Sequence, residues 1–172
     1  MVSIRKANEK DISDLSEKFS KSLDDKKSKI YQDNVAKFSI PDKYVKKALA
    51  EETLLKASSS GEATFYIAIE TDEIAGFAQV IHKDNQNVEL DRIVVFPFYE
   101  RKGIGTQLLH QAIQDEGKKG TRAMTVSAGR NEIHARKFYE KNGFKLIREN
   151  TVDTPWGKKL DLAIYQLSLK PS

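Results

Sequence analysis

The 172-residue chain contains no cysteine. This absence excludes disulfide bonds, a thiolate metal site and catalysis by a cysteine nucleophile. The sequence also lacks any run of the roughly 20 apolar residues that a membrane-spanning helix requires, and its first residues do not resemble a secretory signal. These absences predict a cytoplasmic protein with no membrane-bound part.

Signals for a metal centre are missing as well. The histidines, His82, His110 and His134, show neither the spacing of metal ligands nor a pattern with nearby carboxylates. A Ser-His-Asp arrangement is equally absent, so a serine hydrolase is not indicated. We therefore expect no bound metal and no covalent intermediate on serine or cysteine.

The charge is modestly positive, with a net charge of +4 and a pI near 9.1. Lysines are mixed with acidic residues along the chain, and no stripe of basic and aromatic residues is present, so we expect no nucleic-acid partner. A positive balance suits a protein that binds a polyanionic cofactor. The length allows one core and is too short for two ordinary domains, so we expect a single domain over residues 1–172.

Apolar periodicity predicts a mixed α/β sandwich, in which hairpins are joined to one parallel strand pair with a crossover helix. The predicted strands are Ser3–Ala7, Thr64–Glu70, Ile74–His82, Val88–Phe96, Ala123–Ala128, Phe144–Glu149 and Leu160–Leu169. The predicted helices are Asp11–Leu23, one helix from Pro41 to the Ser58–Gly61 stretch, Gly103–Lys118 and Ile133–Asn142. The charged stretch Asp24–Lys29 is expected to be a loop or a frayed helix end.

The most informative motif is a strand that runs into a glycine-marked helix, Arg101-Lys102-Gly103-Ile104-Gly105-Thr106. The first turn of a helix has backbone N–H groups without partners and carries partial positive charge. Glycines let a pyrophosphate approach the backbone closely. Arg101 and Lys102 add charge and Thr106 adds a hydroxyl, so the motif predicts a phosphate-binding loop.

Two common nucleotide sites are disfavoured by the same motif. A Rossmann site needs a third glycine where this chain has Leu108, and the Gly-Lys-Ser/Thr ending of an ATP-binding P-loop is absent. The alternative without a ligand, in which Gly103 and Gly105 only ease a tight turn, stays open from the motif alone.

The stretch Glu100-Arg101-Lys102-Gly103-Ile104-Gly105 resembles the acyl-CoA pyrophosphate loop of the GNAT superfamily, Gln/Arg-x-x-Gly-x-Gly/Ala. The chain departs from that pattern at Glu100, whose acidic side chain does not hold a phosphate. Arg101, the next residue, is the candidate to compensate.

A second stretch further along the chain resembles the same superfamily. The segment from Asn131 to Phe144 is similar to Asn-x-x-Ala-x-x-x-Tyr-x-x-x-Gly-Phe, with Ala135 and Tyr139 in the motif positions. Asn131 lies one residue further from Ala135 than that pattern has it. The resemblance extends from Ile74 to Phe144 and covers the flanking elements in outline.

The resemblance implies a GNAT-like fold of class α/β (α+β), with a mixed, mostly antiparallel sheet of six to seven strands, about four helices, and strands 4 and 5 splayed apart. It also implies an N-acetyltransferase that uses acetyl-CoA, and homodimers are common among such proteins. The cofactor-binding residues that it implies are Ile93, Val94, Val95, Arg101, Lys102, Gly103, Ile104, Gly105, Thr106, Asn131, Ala135, Phe138 and Tyr139.

The family chemistry implies catalytic roles for three side chains. Tyr139 is the candidate general acid, since a phenol with a pKa near 10 is protonated at neutral pH. Glu89 and Asp91 are candidate bases, directly or through water, and share one face of a strand. The alternative is that they are exposed and paired with Arg92. A backbone N–H within Ile93–Val95 is the candidate oxyanion donor.

The acceptor is expected to be a small primary amine such as a polyamine. Candidate lining residues are Tyr31, Phe38, Tyr44 and Trp156, and the residues of a hypothetical acidic cleft are Glu51, Glu52, Glu89 and Asp91. The alternatives are a protein N-terminal or lysine acetyltransferase, and a regulatory module on the same fold that binds acyl-CoA without catalysis. Glu100 and the shifted Asn131 favour the regulatory module.

Overall fold

A computed structural model describes residues 1–169. Their strands are β1 Val2–Lys6, β2 Ala63–Glu70, β3 Glu73–His82, β4 Asn87–Val95, β5 Ala123–Gly129, β6 Lys145–Asp153 and β7 Lys159–Ser168. They form a seven-stranded sheet in the order β1-β2-β3-β4-β5-β7-β6. Strands β4 and β5 are parallel, whereas β1 with β2, β5 with β7 and β6 with β7 are antiparallel. The predicted mixed, mostly antiparallel sheet is confirmed.

The described residues form six α-helices, which are α1 Glu9–Asp24, α2 Lys29–Asn34, α3 Asp42–Ala48, α4 Glu51–Ser59, α5 Ile104–Lys118 and α6 Ile133–Lys141. Two short 3-10 helices lie at Ala36–Phe38 and Pro97–Tyr99. The helices predicted near α1, α5 and α6 are confirmed. None of the helices in residues 1–169 is both long and apolar enough to cross a membrane.

Contacts group the chain into two units. The first unit comprises Met1–Gln79 and Ile93–Gln111, and the second comprises Val80–Arg92 and the chain from Ala112 onward. The expectation of a single domain over residues 1–172 stays a prediction.

The first unit is built around the apolar face of α1. Ile12, Leu15 and Phe19 recur at helical spacing and are each 1% exposed. The Phe19 ring lies 5.4 Å from the rings of both Phe77 and Phe96. This packing fixes the middle of β3 and the residue that follows β4 against one helix.

The predicted continuous helix after Pro41 is wrong, because the structure has α3 and α4 with a break at Leu49 and Ala50. The Leu49 side chain is 3% exposed, and its carbonyl accepts a hydrogen bond of 2.8 Å from the Ser16 hydroxyl of α1. Ala50 is extended, with φ −65° and ψ 145°. A tertiary hydrogen bond thus satisfies the carbonyl at the break, and helical spacing alone does not reveal such a partner.

The charged stretch before Lys29 leads into a helix that was not predicted, α2. Ser28 caps it, because its Oγ accepts a hydrogen bond of 3.1 Å from the Tyr31 N–H. Ile30 anchors the helix, with 4% exposure. Six residues with one buried apolar side chain give too weak a periodic signal to predict a helix.

The second unit contains the parallel ladder, in which Asn87–Leu90 of β4 pair with residues 123–126 of β5. Glu116 of α5 is 1% exposed and accepts a hydrogen bond of 2.9 Å from the Thr121 hydroxyl, while the Lys119 Nζ lies 3.0 Å away. These partners compensate a buried carboxylate and hold the connection between α5 and β5.

Candidate active site

The glycine-marked loop of the first unit forms a helix N-terminus as predicted. Gly103 has a φ of +76°, in the left-handed region, and α5 begins at Ile104. The Gln107 N–H donates to the Gly103 carbonyl over 3.1 Å. The amides of Gly103, Ile104, Gly105 and Thr106 therefore precede the first donor of the helix, which leaves them available to an anion.

The three charged residues before Gly103 differ in their partners. The Lys102 Nζ lies 3.2 Å from Glu70, and the Lys29 Nζ of α2 lies 2.8 Å from Glu100. Arg101 is exposed and makes no ion pair within residues 1–169. It also has a φ of +64°, which is unusual for a residue with a side chain. Of the two predicted cations, Arg101 is thus the uncommitted one.

Close backbone contact positions the end of β4. A Cβ added at Gly76 of β3 would lie 2.6 Å from the Val94 carbonyl oxygen and 3.2 Å from the Val95 Cα. The Phe96 N–H donates to the Ala75 carbonyl over 2.8 Å. Only glycine allows this approach, because 2.6 Å is inside van der Waals contact. Gly76 was not among the predicted site residues, although a glycine inside a strand is a signal of close backbone approach.

The candidate cofactor residues of β4 lie beyond its ladder with β5. That ladder ends at the pair Leu90 and Val126, whereas β4 continues to Val95. The side chains of Ile93, Val94 and Val95 are half-buried. The end of the ladder agrees with the predicted splay of strands 4 and 5.

The two candidate bases lie in the second unit, each beside a cation. The Glu89 Oε2 lies 3.7 Å from the Lys83 Nζ, and the side chain is 28% exposed. The Asp91 Oδ2 accepts a hydrogen bond of 3.2 Å from the Arg92 Nε, with 27% of the side chain exposed. Both carboxylates thus retain access to solvent, and Asp91 has the Arg92 partner that the sequence left open as an alternative.

Tyr139 of α6 is the most strongly perturbed candidate. It is 8% exposed and lies among the rings of Phe138, Phe144 and Tyr165, at centroid distances of 5.5, 5.7 and 6.4 Å. Burial, and secondarily the charge of Glu132, raises the pKa of Tyr139 to about 12. The raised pKa keeps this phenol protonated at neutral pH, and no hydrogen bond to its hydroxyl is present within residues 1–169.

The other motif residues lie at the start of α6. Asn131 is exposed, and its carbonyl accepts a hydrogen bond of 3.0 Å from the Ile133 N–H, next to the cap residue Glu132. Ala135 and Phe138 are half-buried. The predicted contacts of these residues with the cofactor stay predictions.

A polar network in the second unit, which was not predicted, supports α6. The Arg136 Nε donates to the Tyr165 hydroxyl over 2.9 Å, and that hydroxyl donates to Glu140 over 2.7 Å. Arg136 also donates to the Arg130 carbonyl over 2.8 Å. The network joins α6 to β7 through a tyrosine that is 0% exposed. A local sequence pattern does not reveal the hydrogen bond between Arg136 and Tyr165, because the two residues lie 29 positions apart.

The candidate acceptor residues have varied surroundings. The Tyr31 hydroxyl donates to Asp42 over 3.0 Å, and Glu51 accepts a hydrogen bond from Ser13. Glu52 is exposed in the first turn of α4. Phe38, Tyr44 and Trp156 are half-buried. The acidic cleft and the lining roles stay predictions.

A family model for the acetyltransferase (GNAT) domain matches residues 61–146. This chain belongs to the GNAT family. The match includes both the phosphate loop and the Tyr139 segment, on which the resemblance was based. No group of three or more metal-ligating side chains occurs among residues 1–169 of this GNAT protein.

Two relatives differ in how much of this GNAT chain they match. The spermidine N(1)-acetyltransferase of Thermoplasma acidophilum is 30% identical over 160 residues, which are 93% of this chain and 98% of the relative. The uncharacterised N-acetyltransferase YvbK of Bacillus subtilis is 33% identical over 81 residues, 47% of this chain. That match spans about half of YvbK, 52% of its length.

Solved structures agree with the GNAT fold. The PaiA N-acetyltransferase of Thermoplasma acidophilum, solved in complex with coenzyme A, has a TM-score of 0.67 and 24% identity to this chain. The comparison covers 98% of this chain and 99% of the other. At this identity the likeness concerns the fold alone.

Proposed function

We propose that this protein transfers the acetyl group of acetyl-CoA to a primary amine, directly and within a ternary complex. The observation that carries the proposal is the N-terminus of α5, where four backbone amides and the uncommitted Arg101 lie together. Family membership and the spermidine acetyltransferase relative support it.

The first unit fits the phosphate groups of acetyl-CoA. The helix N-terminus supplies N–H donors and partial positive charge, and the left-handed Gly103 presents no side chain in their way. We assign pyrophosphate binding to Gly103, Ile104, Gly105 and Thr106, and the pantetheine arm to the backbone of Ile93–Val95. When bound, acetyl-CoA supplies a thioester carbonyl for the amine to attack and a thiolate that leaves.

Tyr139 is proposed to stabilise the leaving sulfur. A phenol with a pKa of about 12 holds its proton more tightly than an alkylthiol such as cysteine, whose pKa is about 8.5. Complete proton transfer to sulfur is thus uphill by roughly 3.5 pKa units. We infer that Tyr139 acts chiefly by donating a hydrogen bond as negative charge develops on sulfur.

Glu89 and Asp91 are proposed to accept the proton of the amine. An alkylammonium has a pKa of about 10.4, so most of the amine is protonated at neutral pH and is not nucleophilic. Both carboxylates are partly exposed, which allows proton transfer through water as well as directly.

The acceptor class is proposed to be a small amine, with polyamines favoured. The relative that matches nearly the whole chain carries the name spermidine N(1)-acetyltransferase. A polyamine carries several positive charges, and acidic side chains such as Glu89 and Asp91 would attract them.

The test is release of the CoA thiol from acetyl-CoA over a panel of amines, namely polyamines, amino acids, aminoglycosides and short peptides with free N-termini. Turnover with polyamines supports the whole proposal. Turnover with peptides alone would favour the protein N-terminal acetyltransferase instead. Tight CoA binding without turnover in any arm would favour the regulatory module, for which the acidic Glu100 in the phosphate loop is the supporting observation. Cell fractionation checks the predicted cytoplasmic location, and sedimentation tests whether this chain forms a homodimer, as is common in the superfamily.

A further inference from the structure

Glu100 places a negative charge where a pyrophosphate would bind. It lies three residues before Gly103 and is followed by Arg101. Its side chain is 32% exposed, so water screens it only in part. Like charges repel each other, so an unpaired carboxylate next to the phosphate loop would weaken phosphate binding.

Lys29 lies against that carboxylate. Its Nζ lies 2.8 Å from the Glu100 Oε1 and 3.0 Å from the Asp33 Oδ2. The hydrogen bond with Glu100, followed by that with Asp33, raises the pKa of Lys29 above its usual value. The ammonium therefore keeps its charge at neutral pH.

The position of Lys29 is set by the short helix that it begins. Ser28 caps α2 and also donates to the Ser22 carbonyl over 2.6 Å. Ile30, the next residue, is 4% exposed and anchors the helix in the core of the first unit. The anchored backbone of α2 therefore holds the Lys29 ammonium next to Glu100, although the two residues are 71 positions apart in sequence.

The other two cations of the loop, Arg101 and Lys102, do not offset the charge of Glu100. Lys102 is paired with Glu70 at 3.2 Å. Arg101 makes no ion pair within residues 1–169, and its charge is available to a ligand rather than to Glu100. Lys29 is hence the side chain that offsets the charge of Glu100.

We propose that Lys29 is a residue that determines cofactor affinity, because it neutralises Glu100 beside the phosphate loop. The proposal rests on the proposed function, since it takes the phosphates of CoA as the ligand of that loop. Glu100 replaces the Gln or Arg of the motif, and Lys29 supplies from α2 a positive charge that offsets this carboxylate.

The proposal predicts an order of affinities that follows the net charge of the cluster formed by Lys29, Glu100 and Asp33. Relative to the wild type, Lys29→Met makes this cluster more negative by one charge, Glu100→Gln makes it less negative by one charge, and the double variant keeps the wild-type net charge. CoA affinity should fall roughly three- to tenfold in K29M, rise in E100Q by up to a similar factor, and return to within about twofold of wild type in the double variant.

The experiment is calorimetric titration of each variant with CoA at low salt and again at high salt. Lys10→Met is the matched control, because Lys10 forms an exposed pair with Asp14, also at 2.8 Å, in the same unit. Its CoA affinity should equal that of the wild type. The K29M deficit should shrink at high salt, since the pair is partly exposed and screened.

Three outcomes would overturn the proposal while wild-type CoA binding stands. These are unchanged affinity in K29M, a double variant as weak as K29M, or a K29M deficit that is equally large at high salt. The last two would mean that Lys29 contacts the ligand or supports the fold. Absence of CoA binding by the wild type would instead overturn the proposed function itself.

Discussion

The two GNAT motifs of this protein are built in different ways. The phosphate loop in the first unit offers backbone amides and a left-handed Gly103. The Tyr139 segment in the second unit offers one hydroxyl in a ring cluster whose burial raises the pKa to about 12. A site made of backbone tolerates side-chain departures such as Glu100, whereas a site made of one side chain does not tolerate its loss. Loss of the Tyr139 hydroxyl should therefore reduce activity more than a side-chain substitution in the phosphate loop.

The largest expected effect comes from the single hydroxyl. Tyr139→Phe should lower kcat by roughly 100- to 1000-fold, because general acid or hydrogen-bond catalysis contributes on that scale. CoA affinity should change less than about threefold, since binding resides in the other motif. Tyr66→Phe is a control that removes another buried tyrosine hydroxyl, and its kcat should match the wild type. A Y139F enzyme with wild-type kcat would show that the tyrosine has only a packing role.

The pH dependence of kcat gives a second test of the role of the Tyr139 hydroxyl. Burial raises the pKa of Tyr139 to about 12, and the protonated form is the active one. The loss of activity from Tyr139 ionisation should therefore be centred near pH 12, whereas an ordinary phenol is half ionised near pH 10. A rate profile with a descending limb near pH 9 to 10 that is absent in Y139F would contradict this assignment.

The second-largest expected effect on kcat comes from Arg136, which holds α6, the helix that carries Tyr139. Arg136→Met removes the hydrogen bond to Tyr165 and leaves the Glu149 and Glu140 carboxylates without this cation. We expect kcat to fall roughly tenfold through misplacement of α6, with CoA affinity unchanged. Arg136→Lys keeps the charge without the fork of donors and should recover only part of the loss. Equal losses of kcat in R136K and R136M would show that charge has no part in the effect.

The sequence predicted what is local and missed what is tertiary. The helix start at Gly103 and the parallel crossover follow from residue type and spacing, since turns, helix starts and apolar periodicity are short-range properties. Tyr139 was singled out by its resemblance to the GNAT segment. The break at Leu49 depends on a hydroxyl from Ser16, 33 residues away. The pairing of Lys29 with Glu100 spans 71 residues. No periodic pattern encodes such partners, so the motif departure at Glu100 was visible while its compensation was not.

The third-largest expected effect comes from the backbone conformation of Gly103 in the phosphate loop. Gly103→Ala places a Cβ at a φ of +76°, where nothing lies within 4 Å, so the cost is conformational rather than steric. We expect a loss of about 1 kcal/mol in the free energy of unfolding and a CoA affinity roughly five- to tenfold weaker. The matched control is Gly117→Ala in α5, also with nothing within 4 Å, which should stabilise by about 0.5–1 kcal/mol. Equal stability changes in the two variants, measured by urea unfolding, would contradict a left-handed requirement at Gly103.

The smallest effect should come from Arg101, where strain and charge oppose each other. Arg101 is held at a φ of +64°, so Arg101→Gly relieves strain while adding freedom to the unfolded chain, with a net gain of about 0.5 kcal/mol in unfolding free energy. The same variant removes the uncommitted cation, and CoA affinity should fall roughly threefold at low salt. Arg101→Met loses the charge but keeps the strain, so it should match R101G in affinity and the wild type in stability. If R101M instead binds CoA as tightly as the wild type, the backbone amides alone hold the phosphates. The phosphate loop would then depend on no side chain, whereas the other motif depends on the Tyr139 hydroxyl.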